Sequence, residues 1–283
     1  MMQHLSGFAA LAERYDGFIL DLWGVIHDGV TPYPGAVDCL ERLRAGKRRV
    51  VLLSNAPRRS TVAQAAMREM GIADDLYTDL LTSGEATWLA LRDRRDPFIA
   101  GLGQRLYHLG PPRDRNVFEG LPFIDVADPE SADFVVNTGP DETRSLTDLG
   151  EYEPALQIAA ARGLPMICAN PDLEVIRGGI VALCAGALAQ RYEALGGRVR
   201  WIGKPDPAIY APVLERLALP KARVLAVGDA LRTDIAGAAS VGIDSCWVLG
   251  GIHNELRGRP EAADAAARAA GLAPIASVAE FAW

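Results

Sequence analysis

Four short stretches of this 283-residue chain carry side chains that could move a phosphoryl group. Asp21 interrupts the apolar run "FILDL" (18–22), and Ser54 and Asn55 close the run "RVVLLSN" (49–55). Lys204 lies between Gly203 and Pro205 in "GKPDP", and Asp229 and Asp234 fall within "GDALRTDIAGA" (228–238). Phosphoryl transfer needs a nucleophile, donors for the transferring oxygens, and a cation to draw in a dianionic ester. A carboxylate, a hydroxyl, a lysine and a further acidic pair supply that set. Each also has an ordinary use. Asp21 could be a turn residue, and Ser54 or Asn55 could cap the helix expected from Ser60. Lys204 could be solvated in a Gly/Pro turn, and Asp229 could cap the helix that follows it. Their shared position, after an apolar run or in a Gly/Pro turn, is what points to chemistry.

The elements that must hold these groups follow from periodicity. Short apolar runs at 18–22, 49–55, 134–139, 165–170, 223–229 and 245–250 read as buried strands. Helical patterns occupy 35–46, 60–71 and 207–218, and the alanine-rich 261–271 reads as a surface helix because alanine is the best helix former. Strands too apolar for a half-exposed sheet, alternating with helices, predict an α/β fold: a Rossmann-like, doubly wound, mainly parallel sheet with helices on both faces. In such folds reactive groups gather at the carboxyl ends of strands, where the four stretches fall.

Composition narrows the function class. A net charge of −7 argues against a nucleic-acid binder, and no apolar run reaches the roughly 18 to 20 residues needed to span a bilayer. The start "MMQHLSGFAALAERYDG" lacks a basic segment followed by an apolar one, so a cytoplasmic protein is expected. Cys39, Cys168, Cys184 and Cys246 form no C-x-x-C pair and read as reduced core thiols. Arg58 and Arg59 read as solvated at a helix start, with substrate contact the lesser alternative, and Trp88, Trp201 and Trp247 as packing residues. His4, His108 and His253 lie outside any motif.

The ordered set "DLWGVIHDG", "LLSNAPRRS", "GKPDP" and "GDALRTDIAGA" resembles the haloacid dehalogenase superfamily of aspartate-nucleophile phosphatases, specifically its class IIA branch. The resemblance runs over nearly the whole chain. It implies Asp21 as nucleophile, Lys204 neutralising nucleophile and phosphate together, and Ser54 and Asn55 with Lys204 as phosphate ligands. It also implies Mg²⁺ held by Asp21, the backbone carbonyl of Trp23 and Asp229, with Asp234 adjacent. The segments "CANPDLEVIRGG" (168–179) and "CAGALAQRYEALGG" (184–197) resemble the cap of class IIA members, inserted between the second and third motifs. The division implied is a core over 1–83 and 201–283, with a smaller α/β cap over 84–200. In this family the cap sets specificity, which makes Asn170, Asp172 and Arg177 candidate substrate contacts. Class IIA caps can also form dimer contacts, so a homodimer is among the assemblies the resemblance allows.

Trp23 departs from the family pattern. There the family has a second aspartate, which protonates the leaving oxygen and then activates water. Tryptophan keeps the backbone carbonyl, but its indole only donates a hydrogen bond. Acid–base help of this kind is worth roughly 10²- to 10⁴-fold. Three readings follow. The first is a Mg²⁺-dependent phosphatase of a small phosphorylated metabolite (a sugar phosphate, nucleotide or similar), with the proton duty moved elsewhere. His27 is the nearest titratable candidate, although a hydrogen-bonded loop histidine is its commoner use. The second is a catalytically weakened or non-catalytic phosphate-ligand-binding protein. The third is a dehalogenase, since those relatives carry an aromatic residue two positions after the nucleophile; Asp229 and Asp234 argue against it.

Overall fold

The computed structural model describes residues 2–177 and 180–283. In chain order its strands are β1 (Gln3–Leu5), β2 (Gly17–Leu20), β3 (Arg49–Ser54), β4 (Asp79–Thr82), β5 (Arg105–Leu109), β6 (Ile124–Val126) and β7 (Phe134–Asn137). They continue with β8 (Pro165–Cys168), β9 (Glu174–Arg177), β10 (Ile180–Leu183), β11 (Arg198–Trp201), β12 (Val224–Gly228), β13 (Asp244–Val248) and β14 (Ala276–Val278). Seven of them form one sheet in the order β1-β14-β13-β12-β2-β3-β4, with every neighbouring pair parallel. Five more form a second all-parallel sheet, β11-β8-β7-β5-β6, while β9 and β10 pair as an antiparallel hairpin.

The parallel arrangement explains why the central strands are apolar throughout. Alternate residues of β2 and β3 point to opposite faces. Phe18, Leu20, Val50 and Leu52 join one buried cluster with Leu40 and Leu43 of the helix Ala36–Ala45. Ile19, Val51 and Leu53 join another, with Ile209, Tyr210 and Val213 of the helix Pro207–Leu217. Both faces are covered, so neither tolerates a polar stripe. The four cysteines are buried and free. None of the described helices is long and apolar enough to cross a membrane.

Strand order also fixes where chemistry can sit. From β2 the chain proceeds outward to β3 and β4 on one side, whereas β12, β13 and β14 extend the sheet on the other. The direction of winding therefore reverses between β2 and β12, opening a crevice beyond their carboxyl ends. Asp21 follows β2 and Asp229 follows β12. Residues two hundred positions apart in sequence emerge side by side.

Candidate active site

Asp21 is anchored by its own backbone, whose N–H donates to the Val227 carbonyl of β12 at 2.9 Å. The chain then turns tightly: Gly24 N–H donates to the His27 carbonyl (3.3 Å) and His27 N–H to the Leu22 carbonyl (3.1 Å). These bonds bypass the Trp23 carbonyl. Gly24 has φ +75°, and a Cβ there would lie 2.0 Å from Asp229 Oδ2; at Gly251 a Cβ would lie 1.9 Å from the same oxygen. Two glycines thus cradle the Asp229 carboxylate where side chains would displace it. Asp229 is further held by Ile252 N–H on Oδ2 (2.8 Å) and by the indole N–H of the fully buried Trp247 on its backbone carbonyl (2.8 Å).

Lys204 is 2% exposed, and its ammonium donates to Asp21 Oδ1 (2.7 Å), Asp234 Oδ1 (2.7 Å) and the Leu53 carbonyl (3.0 Å). Asp234 lies in the π-type turn Leu231–Ile235, and its Oδ2 accepts from Ala230 N–H at 3.1 Å. Ser54 closes β3 beside the same space, with its hydroxyl oxygen accepting from Ala56 N–H (3.2 Å). Asn55, expected among the phosphate ligands, spends its amide on the scaffold instead. Its Oδ1 accepts from Lys204 N–H (2.8 Å) and Ser83 Oγ–H (3.2 Å), while Nδ2 donates to Asp172 Oδ1 (2.8 Å) and the Lys204 carbonyl (3.3 Å). Both amide hydrogens are used. Neither Ser54 nor Asn55 caps the helix Ser60–Glu69, whose N-cap position is Arg59.

One carboxylate oxygen from each of Asp21, Asp229 and Asp234 lies within 4.8 Å of the others. Burial pushes the Asp21 carboxyl well above its ordinary range against the pull of Lys204, with Asp234 and Asp229 adding to the rise. Asp229 is pushed up to about 7, first by burial and then by Asp234. Burial works against the Lys204 ammonium too, but Asp21 and Asp234 overcome it and keep the lysine charged. Three acids around a single lysine leave two negative charges uncompensated when all are ionised. An all-oxygen donor set with that deficit fits a hard divalent cation.

Two cavities, of about 300 and 160 Å³, meet over Asp21, and Asp21, Trp23, Asp172 and Val175 line both. The Trp23 indole packs over Gly29 and meets the His27 ring edge to face, with centroids 5.5 Å apart. His27 fails as the substitute acid or base: it is 4% exposed, its Nδ1 accepts from Gly29 N–H (3.0 Å), and burial lowers its pKa to about 4. Of the expected cap residues, Asn170 lines the smaller cavity and Asp172 both. Arg177 ends β9, and its side chain lies outside the described residues.

Sequence reasoning missed Asp114 and Thr138 in the smaller cavity's wall and gave Arg58 there only as the lesser alternative. Arg58, expected to be solvated, lines it and pairs with Asp114 (Nε to Oδ1, 3.2 Å). Arg59 is likewise not free, since it holds Glu85 (2.7 Å) and stacks on Trp88 at 3.8 Å. Burial raises Asp114 to about 6 against the pull of Arg58. Thr138, bonded to His108 Nε2 (2.9 Å), completes that wall. An "RDR" tripeptide in a short turn offered no signal for this; only the pairing of distant loops does.

Comparison with known proteins gives a consistent picture. A sequence profile of haloacid dehalogenase-like hydrolases matches residues 18–124, and a second, HAD-hydrolase-like profile matches 201–276. A haloacid dehalogenase-like hydrolase of Brucella suis is 33% identical, with TM-score 0.82 over 98% of this chain and 99% of that one. An acid sugar phosphatase of Staphylococcus haemolyticus is 26% identical over 87% of this chain and 90% of its own length. A glycerol phosphate phosphatase of Mycobacterium tuberculosis, solved in complex with magnesium, is 26% identical with TM-score 0.63, over 85% of this chain and 70% of that one.

Proposed function

The chain belongs to the haloacid dehalogenase-like hydrolases, and on that premise we propose that it is a Mg²⁺-dependent phosphatase of small phosphomonoesters acting through an aspartyl-phosphate at Asp21. The observation that carries the reading is the cluster of Asp21, Lys204, Asp229 and Asp234 at the crevice between β2 and β12. The convergence of Asp229 and Asp234 on Asp21 favours a metal-assisted phosphatase over a dehalogenase. Relatives named acid sugar phosphatase and glycerol phosphate phosphatase favour a sugar or polyol phosphate as substrate.

In the reaction an Asp21 carboxylate oxygen attacks phosphorus, the bond to the leaving oxygen breaks, and the phosphoryl group rests on Asp21. Water then attacks the same phosphorus, releasing inorganic phosphate and restoring the carboxylate. The Lys204 ammonium, already 2.7 Å from Asp21 Oδ1, offsets the charge that nucleophile and phosphate bring together. Ser54 lies where its hydroxyl can donate to a phosphate oxygen. Asn55 positions Lys204 through the backbone bond to its Oδ1. Asp21, Asp229 and Asp234, with the Trp23 carbonyl, are the groups that would hold Mg²⁺, whose chemistry there is to neutralise the dianionic ester and keep Asp21 ionised. The magnesium complex of the mycobacterial relative supports that choice of metal.

Phosphate release from a panel of small phosphoesters, with Mg²⁺ and then with chelator, tests the reading. Metal-dependent release that disappears in Asp21→Asn is expected. A folded protein that releases phosphate from none of them would move the non-catalytic, phosphate-binding reading into first place.

A further inference from the structure

Trp23 leaves the reaction without its proton donor, and the cavities over Asp21 show what can take its place. Besides Asp21 itself, Asp172 is the one carboxylate among the described residues that lines both of them. It arrives from the segment after β8, and three bonds fix it there. Its N–H donates to Asn170 Oδ1 (3.0 Å), its carbonyl accepts from Gly186 N–H (3.0 Å), and its Oδ1 accepts from Asn55 Nδ2 (2.8 Å). Asn55 is the same residue whose Oδ1 holds the Lys204 backbone. One amide therefore sets both the lysine beside the nucleophile and the carboxylate that lines the cavities. Among the described residues the side-chain hydrogen bond of Asp172 uses Oδ1, leaving Oδ2 for substrate.

Three of the other acids near the site are committed. Asp229 and Asp234 converge with Asp21 on the cation position, Asp114 is paired with Arg58, and Glu174 and His253 line only the larger cavity. His27 is closed off by Gly29 and Trp23. We infer that Asp172 is the general acid and base of this phosphatase, standing in for the carboxylate absent at position 23; the inference rests on the proposed phosphatase function. As Asp21 attacks and the bond from phosphorus to the leaving oxygen breaks, that oxygen takes the electron pair and the Asp172 proton. Asp172, now a carboxylate, then accepts a proton from the water that attacks phosphorus, and the breaking bond returns its electron pair to Asp21. Burial raises the Asp172 carboxyl above its ordinary range against Lys204 and the Asn55 bond, with Asp234 raising and Arg232 lowering it further; Asp229 and Cys184 share the same field. A carboxyl so placed can hold the proton the first step consumes.

Asp172→Asn tests this, because the amide keeps an oxygen for Asn55 Nδ2 but has no proton to exchange. The probes are glycerol 3-phosphate, whose alkoxide needs a proton to leave, and p-nitrophenyl phosphate, whose leaving group does not. Turnover of the alkyl ester should fall by about 10²- to 10⁴-fold, and the first-turnover release of nitrophenolate by less than about tenfold. Trp23→Asp in the Asp172→Asn background should recover at least about tenfold on the alkyl ester. Asp172→Glu, which keeps an acid, should hold the alkyl-to-aryl rate ratio closer to wild type, and serves if the asparagine variant does not fold. Equal losses on both esters, or wild-type alkyl turnover in Asp172→Asn, would overturn the role of Asp172. A wild-type protein inactive on both esters would overturn the phosphatase reading first, and this inference with it.

Discussion

Replacing Lys204 by methionine removes the ammonium that pairs with Asp21 and Asp234. In the folded protein that ammonium is 2% exposed and donates to two carboxylates at 2.7 Å and one carbonyl at 3.0 Å. Taking one partner from a buried ion pair costs about 3–5 kcal/mol, most of it from the charge left behind. Here the charges left behind can escape by taking up protons. Burial already raises Asp21, and without Lys204 its folded pKa rises further. A carboxyl raised in the folded state contributes stability below its unfolded pKa and loses it as pH climbs through the folded value. The deficit of Lys204→Met should therefore be a few kcal/mol near pH 8 and clearly smaller near pH 5. Mg²⁺ should shrink the deficit at the higher pH by binding the freed acids. Urea unfolding of both proteins in chelator at the two pH values, then with Mg²⁺, measures this. A deficit equal at both pH values and indifferent to Mg²⁺ would refute the charge argument and reduce Lys204 to packing. Phosphate release should fall by at least about 10²-fold at either pH, the usual loss when a fixed charge-stabilising donor is removed.

Three further outcomes follow from the geometry. Gly251→Ala places a Cβ 1.9 Å from Asp229 Oδ2, so the carboxylate must move and the Mg²⁺ needed for half-maximal activity should rise by about tenfold or more, read from a metal titration. Because Asp229 is raised to about 7, the metal-free protein should lose thermal stability as pH rises from about 4 through 7, and added Mg²⁺ should restore it; a Tm series in chelator and in Mg²⁺ checks both. In the Asp172→Asn background, Trp23→Asp should raise turnover of alkyl phosphates more than of aryl phosphates. It should also lower Tm, because the indole's packing over Gly29 and against His27 is lost; steady-state rates beside a melting curve separate the two effects.

The residues proposed for the phosphorus chemistry are legible because Asp21, Ser54 and Asp229 follow buried strands, where a polar group is conspicuous, whereas Lys204 follows the part-exposed β11 and is marked only by its Gly/Pro turn. Helices were readable where the periodicity was strong: Ala36–Ala45, Ser60–Glu69 and Pro207–Leu217 fall within two residues of the ranges expected. β4 and β5 are not legible in the sequence, since "DLLT" and "RLYHL" are short and mix charge with apolar residues. The order of strands could not be read at all. Nothing local says that β12 pairs with β2, yet that pairing puts Asp229 beside Asp21. Side-chain commitments are equally invisible. The position of Asn55 after Ser54 suggests a phosphate donor, but does not reveal that its side-chain amide bonds Asp172 and Lys204; nor does the position of His27 reveal that the turn to Gly29 buries it. Arg58 and Arg59 read as solvated because their partners, Asp114 and Glu85, lie in other elements.

The central claim is that Asp21 itself carries the phosphoryl group, and acid-quenched turnover measures that most directly. Wild-type protein mixed with p-nitrophenyl phosphate and Mg²⁺, quenched within the first turnover and digested, should yield the Asp21 peptide bearing one phosphate. Asp21→Asn should yield none. Phosphate released at wild-type rate with no phosphorylated peptide, or with the label on another residue, would contradict the account.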